Sequence, residues 1–145
     1  MRIGVLLCLL LVACGLRRVD VIMDPTSTPG LFSARGIGTL TTPIPEYPEM
    51  ARLAGIEGMN LIRLRFDADW TAESIAVVLP SGNASLDISA CSTAVEVTFE
   101  PAPCSRLRLP VHADIFYGFT RETSASPDIG DEFLAYVERV RVWTE

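Results

Sequence analysis

The sequence predicts an α+β domain: a three-stranded antiparallel sheet with two helices on one face, followed by a helical C-terminal extension. Three observations predict this class. In some segments apolar residues occur at every second position, as in a strand, and in others they recur at helical spacing. Pro- and Gly-rich breaks separate these segments. The resulting order is helix, strand, strand, helix, strand, in a folded unit that spans residues 43–121.

The first predicted helix spans Tyr47–Gly55. Pro48 suits its first turn, where a backbone N–H would lack a helical partner, and Gly55 suits its end. The second predicted helix begins with Ser85 as N-cap and ends near Val97–Phe99. Its residues at helical spacing are Leu86, Ala90, Cys91, Ala94 and Val95.

Three strands are predicted, at Met59–Asp67, Glu73–Leu79 and His112–Thr120. A short turn joins the first two, which therefore form an antiparallel hairpin. The connection to the third strand contains a helix, so we expect the first strand in the middle of the sheet and the third at an edge. The residues predicted to share the helix-covered face are Ile62, Leu64, Phe66, Ile75, Val77, Leu79, Val111, Ala113, Ile115, Tyr117 and Phe119.

Two segments flank the predicted domain. Residues 14–42 are rich in Pro, Gly, Ser and Thr and hold no period for long, which predicts a flexible tether with an extended piece at Gly38–Thr42. Residues 122–145 form the C-terminal extension. Its apolar residues in Asp131–Val142 recur at helical spacing, and we expect a helix, although Val140–Trp143 fits a strand equally well.

The N-terminus has the pattern of an export signal. Met1 and Arg2 supply a positive start, and Ile3–Val12 is an apolar run. That run is shorter than the about 20 residues that span a bilayer, and it fits a secretory signal over residues 1–13. An ordinary cleaved signal or a short uncleaved anchor are the alternatives.

The end of the apolar run, Leu11-Val12-Ala13-Cys14, resembles the lipobox of bacterial lipoproteins. In those proteins the signal is cut before the cysteine, and the cysteine carries the lipid. The resemblance implies lipid attachment at Cys14 and a periplasm-facing location in the cell envelope. Gly15, a residue other than Asp after the cysteine, implies sorting to the outer membrane.

Composition excludes some functions and supports no chemistry. The net charge is −6 and all 12 basic residues are arginine, a poor basis for binding nucleic acid. His112 is the one histidine, and no nucleophile is tied to it by spacing. The pair Asp67 and Asp69 is typical of a turn between strands. We therefore expect no enzyme activity, no catalytic residues, no cofactor and no metal.

Two cysteines remain in the mature chain once Cys8 is removed with the signal and Cys14 is lipidated. An exported protein meets an oxidising compartment, so Cys91 and Cys104 are expected to form a disulfide. The bond would close a loop worth about 3 kcal/mol. A metal-binding pair and two free thiols are the other possibilities.

Six short segments occur in a set order along the chain. They are Pro45-Glu46-Tyr47-Pro48-Glu49-Met50-Ala51, Gly55-Ile56-Glu57-Gly58, Leu61–Asp67, Val77-Val78 before Ser81-Gly82, Leu86-Asp87, and Phe99-Glu100-Pro101-Ala102. Together they resemble the TonB C-terminal domain family over about Pro43–Arg121. In that family the domain binds partners in the periplasm, and the last strand of the sheet offers its edge to an extended segment of an outer-membrane transporter. The resemblance implies a partner-binding edge strand here at Ala113, Asp114, Ile115, Phe116, Tyr117, Gly118 and Phe119.

The chain departs from that family in ways that affect function. The family's transducers keep an uncleaved membrane helix and a long Pro-rich stretch, and we expect neither here. Trp70 also stands near a position where the family usually has Gly. The resemblance implies a periplasmic protein-binding module linked to TonB-type transport, whose partner is an envelope protein such as a TonB-dependent transporter. The alternative is a structural or assembly lipoprotein without an energy-transducing role, and a second copy of the chain is another candidate partner.

The sheet face turned away from the helices carries an unusual residue mixture. Leu61, Val78 and Phe116 are expected there among Arg63 and Arg65. Two interpretations remain open. Residues 131–143 fold back and cover this face, or the face is a contact surface for a partner.

Overall fold

The computed structural model describes residues 20–25, 28–105, 107–122 and 130–144. The predicted signal 1–13 and Cys14 lie outside these residues. None of the helices in this described part is long and apolar enough to cross a membrane. In chain order the described elements are β1 (Asp20–Pro25), β2 (Leu31–Ala34), β3 (Gly38–Thr41), α1 (Glu49–Leu53), β4 (Gly58–Phe66), β5 (Ala72–Leu79), α2 (Ala84–Ala94), β6 (Thr98–Pro101), β7 (Val111–Glu122) and β8 (Glu132–Thr144).

The strands β5, β4 and β7 are the part of the sheet that the sequence predicts. As expected, β4 lies in the middle and pairs antiparallel with both neighbours. The alternation is confirmed in β4 and β7, whose predicted inward residues are all buried. Both helices pack on this face, α1 through Ala51 and α2 through Leu86, Ala90 and Ala94. The predicted inward face of β5 is half-buried at Ile75, but Val77 and Leu79 are exposed. A register shift in the β4–β5 ladder sets Leu79 opposite Leu61.

The helix ends differ in detail from the prediction. Asn83, not Ser85, is the N-cap of α2, since its side-chain oxygen accepts from the N–H groups of Ser85 (3.0 Å) and Leu86 (3.4 Å). The helix ends at Ala94, and residues 98–101, expected at its end and in a loop, form β6.

Residues 14–42 were expected to be a flexible tether with an extended piece at Gly38–Thr42. The extended piece is present as β3, but the tether is wrong for the rest of the described part. β1, β2 and β3 add a second half to the sheet, which in full has the order β5-β4-β7-β8-β1-β2-β3-β6. Met23, Phe32 and Leu40 reach the same core as β4 and β7. Just after β3, the buried hydroxyl groups of Thr42 and Tyr117 hydrogen-bond at 2.6 Å. Burial raises the pKa of Tyr117 to about 12, so its hydroxyl stays protonated at neutral pH.

The C-terminal extension is a strand, so the expected helix is wrong. β8 pairs with β7 over twelve register positions and with β1 over four, which places it in the interior of the sheet. Val140, Val142 and Trp143 are buried there. β8 therefore joins the predicted half of the sheet to the half formed by β1, β2, β3 and β6.

The two ends of the strand order come close to each other. Thr71, just before β5, forms one antiparallel bridge with Thr98 of β6, and the N–H of Phe99 donates to the carbonyl of Trp70 at 3.2 Å. Trp70 has a φ of 59°, the left-handed conformation that glycine adopts most easily. Its ring packs on Phe99 with centroids 5.7 Å apart, so core contact offsets the cost of this conformation.

Candidate functional site: the sheet edges and the open face

The strand expected to bind a partner does not lie at an edge. β8 occupies that side of β7 along its whole length, from the pair Val111–Thr144 to the pair Glu122–Glu132. β4 occupies the other side. With a neighbour on each side, β7 cannot add a further strand while β8 is in place. The predicted edge at residues 113–119 is thus corrected to an interior strand.

The seven predicted partner-binding residues divide between the two faces of β7. Ala113, Ile115, Tyr117 and Phe119 face the core and are buried. The residues on the opposite face are Asp114, Phe116 and Gly118. The backbone at Gly118 lies against Tyr136 of β8, and a Cβ atom there would come within 2.4 Å of the Tyr136 ring. These residues hold β7 to its neighbours.

The open edge of the sheet over the described residues is β5, which pairs with β4 alone. Three apolar side chains at its end are exposed: Val77 by 41%, Val78 by 45% and Leu79 by 53%. The other end of the strand order, β6, has four residues, ends in Pro101, which lacks an N–H group, and lies beside Thr71. Among the described strands, β5 is therefore the long edge with unpaired backbone groups.

The face of the sheet opposite the helices, which we call the open face, carries aligned rows of side chains. One row across β4, β7 and β8 consists of Arg63, Asp114 and Arg141. The next row is Leu61, Phe116 and Arg139, and a third is Arg65, His112 and Trp143. The segment 131–143 was one candidate to cover this face. Instead, β8 extends the face by adding Arg139, Arg141 and Trp143 to it.

Arg63 and Asp114 form a two-pronged ion pair in the first row. The Arg63 Nε donates to Asp114 Oδ1 at 2.8 Å, and Nη2 donates to Oδ2 at 2.9 Å. The Asp114 side chain is 6% exposed and that of Arg63 is 45% exposed. The hydrogen bond to Asp114 raises the pKa of Arg63, which keeps the guanidinium charged.

Aromatic rings orient the arginines of the open face. The guanidinium carbon of Arg139 lies 4.3 Å from the centre of the Phe116 ring, and that of Arg63 lies 4.9 Å from the Trp143 ring. Trp143 itself stacks on His112 with centroids 5.3 Å apart. Three arginines, Arg63, Arg139 and Arg141, line a depression of about 520 Å³ on this face, and the carboxylate that lines it with them is Asp114.

The structure does not contain the disulfide that the sequence predicts. Cys91 on α2 and Cys104 in an exposed turn are free thiols, so the expected disulfide is not formed. Burial and the nearby Asp87 raise the pKa of the Cys91 thiol, which disfavours its reactive thiolate form. Asp69 accepts hydrogen bonds from Thr71, as a turn residue does. In the described segments, no group of three His, Cys, Asp or Glu side chains is placed to hold a metal ion. The expectation that the protein binds no metal stays a prediction.

Sequence reasoning found some of these features and missed others. Alternation correctly placed Arg63, Arg65 and Phe116 on the face away from the helices. The pairing of Arg63 with Asp114 depends on the register between strands separated by 51 positions, which no local pattern reports. Residues 140–143 were the one available signal for β8, because their alternation competes with the helical spacing before them.

Comparison with known proteins fits this architecture. Residues 43–117 match the family described as Gram-negative bacterial TonB protein C-terminal, a family of the periplasmic side of the envelope. The match runs from just before α1 into β7, so β1, β2, β3 and β8 lie outside it. Neither the search of curated proteins nor that of solved structures gave a match. With its matched region covering half of its length and folded as a mixed sheet with two helices, this chain belongs to the TonB C-terminal family.

Proposed function

We propose that this chain is a non-enzymatic protein-binding module of the periplasm that accepts an extended segment of an envelope protein at the open edge of β5. The observation that carries the proposal is the contrast between two strands. β7 is paired on both sides, whereas β5 has an unpaired edge ending in three exposed apolar residues. A strand added to β5 would satisfy its backbone groups and cover Val77, Val78 and Leu79.

The partner class follows from the family and from the compartment. An outer-membrane transporter of the TonB-dependent class presents an extended periplasmic segment of the kind that strand addition requires. The open edge does not imply energy transduction, because strand pairing needs only an unpaired edge and a second strand.

Hydrogen exchange on the full chain tests this proposal. We expect peptides from the N-terminal segments of such transporters to slow amide exchange in β5 and to leave β7 and β8 unchanged. Val78→Lys should weaken binding about tenfold, because a charge on an edge strand opposes pairing. Val95→Lys is the matched control: this valine is 67% exposed but sits at the end of α2, and its substitution should change nothing. Protection in β7 together with faster exchange in β8 would instead mean that the peptide replaces β8.

A second function remains a candidate because of one observation. β8 fills the place beside β7 where the family's partner strand would lie. A structural or assembly lipoprotein that no longer binds transporters would carry such a permanently filled edge. Lack of binding by every transporter segment, with β5 exchange unchanged, would favour this alternative.

Lipid attachment at Cys14 is proposed with either function, since it rests on the lipobox-like residues 11–14. We expect cells fed labelled fatty acid to incorporate the label into this protein. Cys14→Ser should abolish the labelling and leave an unprocessed precursor, whereas Cys8→Ser, at the sixth residue of the apolar run, should label normally. Labelling that persisted in Cys14→Ser would contradict the assignment.

A further inference from the structure

A groove of about 640 Å³ lies between α2 and residues 43–48, the segment that leads into α1. The helix buries Leu86, Ala90 and Ala94 against the sheet. The groove is lined by a different stripe of the α2 region, with positions mostly three or four apart: Ser85, Ile88, Ser89, Ser92, Thr93 and Glu96. The groove is therefore a surface of the helical layer, separate from the β5 edge and from the open face.

The wall formed by residues 43–48 is held in place before any ligand arrives. The Thr42 hydroxyl, at its start, hydrogen-bonds that of Tyr117 at 2.6 Å. The Tyr47 hydroxyl donates to the carbonyl of Ile56, and the Ser89 hydroxyl on α2 donates to the carbonyl of Glu46. A wall fixed on both sides loses little conformational freedom when a ligand binds.

The groove offers apolar contact on both walls. Ile88 on α2 is 67% exposed and Ile44 on the opposite segment is 47% exposed. Pro43 and Pro48 extend the apolar surface of that segment. Burial of these side chains under a ligand would remove apolar surface from water, which favours binding.

The charge of the groove is negative. Its two charged residues are Glu46 and Glu96, and neither forms an ion pair with a described residue. Glu96 lies just after the C-terminal end of α2, where carbonyl groups point outward, and the last turn of this helix has no basic residue. A helix C-terminus attracts positive charge, so it adds to the effect of the two carboxylates.

From this arrangement we infer that the groove binds a basic, extended segment of a partner protein. Basic side chains of this segment pair with Glu46 and Glu96, and an apolar residue between them contacts Ile88. Glu46 is bonded to Ser89, which precedes Glu96 by seven positions, or about 10 Å along a helix. Three residues of an extended chain span about the same distance. Two basic residues three positions apart therefore fit both carboxylates.

Charge favours such a segment over other occupants. A bilayer with anionic headgroups would be repelled by the two carboxylates. A second copy of the chain carries the same net charge of −6, which opposes its approach to an acidic groove.

Fluorescence anisotropy with defined peptides tests the charge requirement. The probe is a labelled peptide of Leu and Pro with two lysines three positions apart, and its matched control has Gln for Lys. Proline lacks the N–H group that strand addition to β5 would need. We expect the full chain at low ionic strength to bind the basic peptide and not the Gln peptide, and added salt to weaken binding. Glu46→Gln combined with Glu96→Gln should weaken it about tenfold, whereas the control pair Glu100→Gln and Glu132→Gln should leave it unchanged.

A second pair of variants tests the apolar contact. Ile88→Ser should weaken binding of the basic peptide about tenfold. Val95→Ser is the matched control, because this valine at the end of α2 is also 67% exposed but does not line the groove. Thermal unfolding checks that each variant is folded.

Several results would overturn the inference. They are failure of the basic peptide to bind, equal binding of the Gln peptide, and equal losses in the control variants. Loss of binding in Val78→Lys would instead assign the peptide to the β5 edge. Self-association that Ile88→Ser abolishes, in a protein that ignores the peptide, would mean that a second copy fills the groove.

Discussion

Deleting residues 131–145 is expected to abolish cooperative unfolding of this protein. β8 is the interior strand that joins the two halves of the sheet, so its loss unpairs both β7 and β1. Burial of Val140 and Val142 alone is worth about 3–6 kcal/mol. A domain of this kind has a total stability of only about 5–15 kcal/mol. Urea unfolding followed by circular dichroism should therefore show no sharp transition in the truncated chain.

Two point variants in β8 separate a structural role from a general effect of truncation. Val140→Lys places a charge in the core and should lower the free energy of unfolding by about 3 kcal/mol or more. Glu138→Lys changes an exposed residue at the register shift of the same strand and should change stability by less than about 0.5 kcal/mol. A truncated chain with the full-length midpoint would mean that β8 is dispensable and that residues 113–119 form a free edge.

The helical expectation for β8 failed for a physical reason. Helical spacing is satisfied by Phe133, Leu134, Val137 and Val140. The spacing of residues within this segment carries no information about β7, the distant strand with which it pairs. The unpaired backbone of β7 supplies twelve partner positions, and this long-range pairing overrides local periodicity. The alternation in Val140–Trp143 was the correct local signal. It was too short to outweigh the longer helical pattern.

The central strands were predictable because one face of each is buried along its length. In β4 and β7 burial alternates with period two, so the pattern is visible without any knowledge of partners. β2 and β3 have four residues each and contain Gly, Ser and Thr, so they carry no such pattern. They exist because β1 and β6 pair with them. Their positions depend on contacts far apart in the chain.

The sequence predicted which side chains of the candidate site share one face of the sheet. It did not predict which strand lies at the edge of the sheet. Which side chains lie on the open face follows from alternation, and Arg63 and Phe116 were assigned to it correctly. Which strand lies at an edge depends on the total number of strands. The family resemblance supplies three of them, and the match ends at residue 117, before β8 begins. The edge assigned by resemblance was therefore covered by a strand outside the resemblance.

The second large effect is expected at Gly38, the first residue of the extended piece that the sequence predicted within a flexible tether. Gly38 begins β3 with a φ of 152°, and it pairs with Pro101 of β6. A Cβ atom there would lie 2.4 Å from the carbonyl oxygen of Glu100 and 2.7 Å from the Phe99 ring. Because the closest atom belongs to the backbone, no side-chain rotation relieves the overlap. Gly38→Ala should lower the free energy of unfolding by about 3 kcal/mol.

Gly36 provides the matched control two residues away. It also has a positive φ, 80°, but no atom lies within 4 Å of a Cβ built there. Gly36→Ala should therefore cost only the strain of the left-handed conformation, about 1 kcal/mol. A flexible tether would tolerate both substitutions equally, since neither glycine would have a fixed conformation. A difference of about 2 kcal/mol between the unfolding free energies of the two variants can arise only if β3 is packed against β6. Equal unfolding free energies would mean that this segment is a flexible tether.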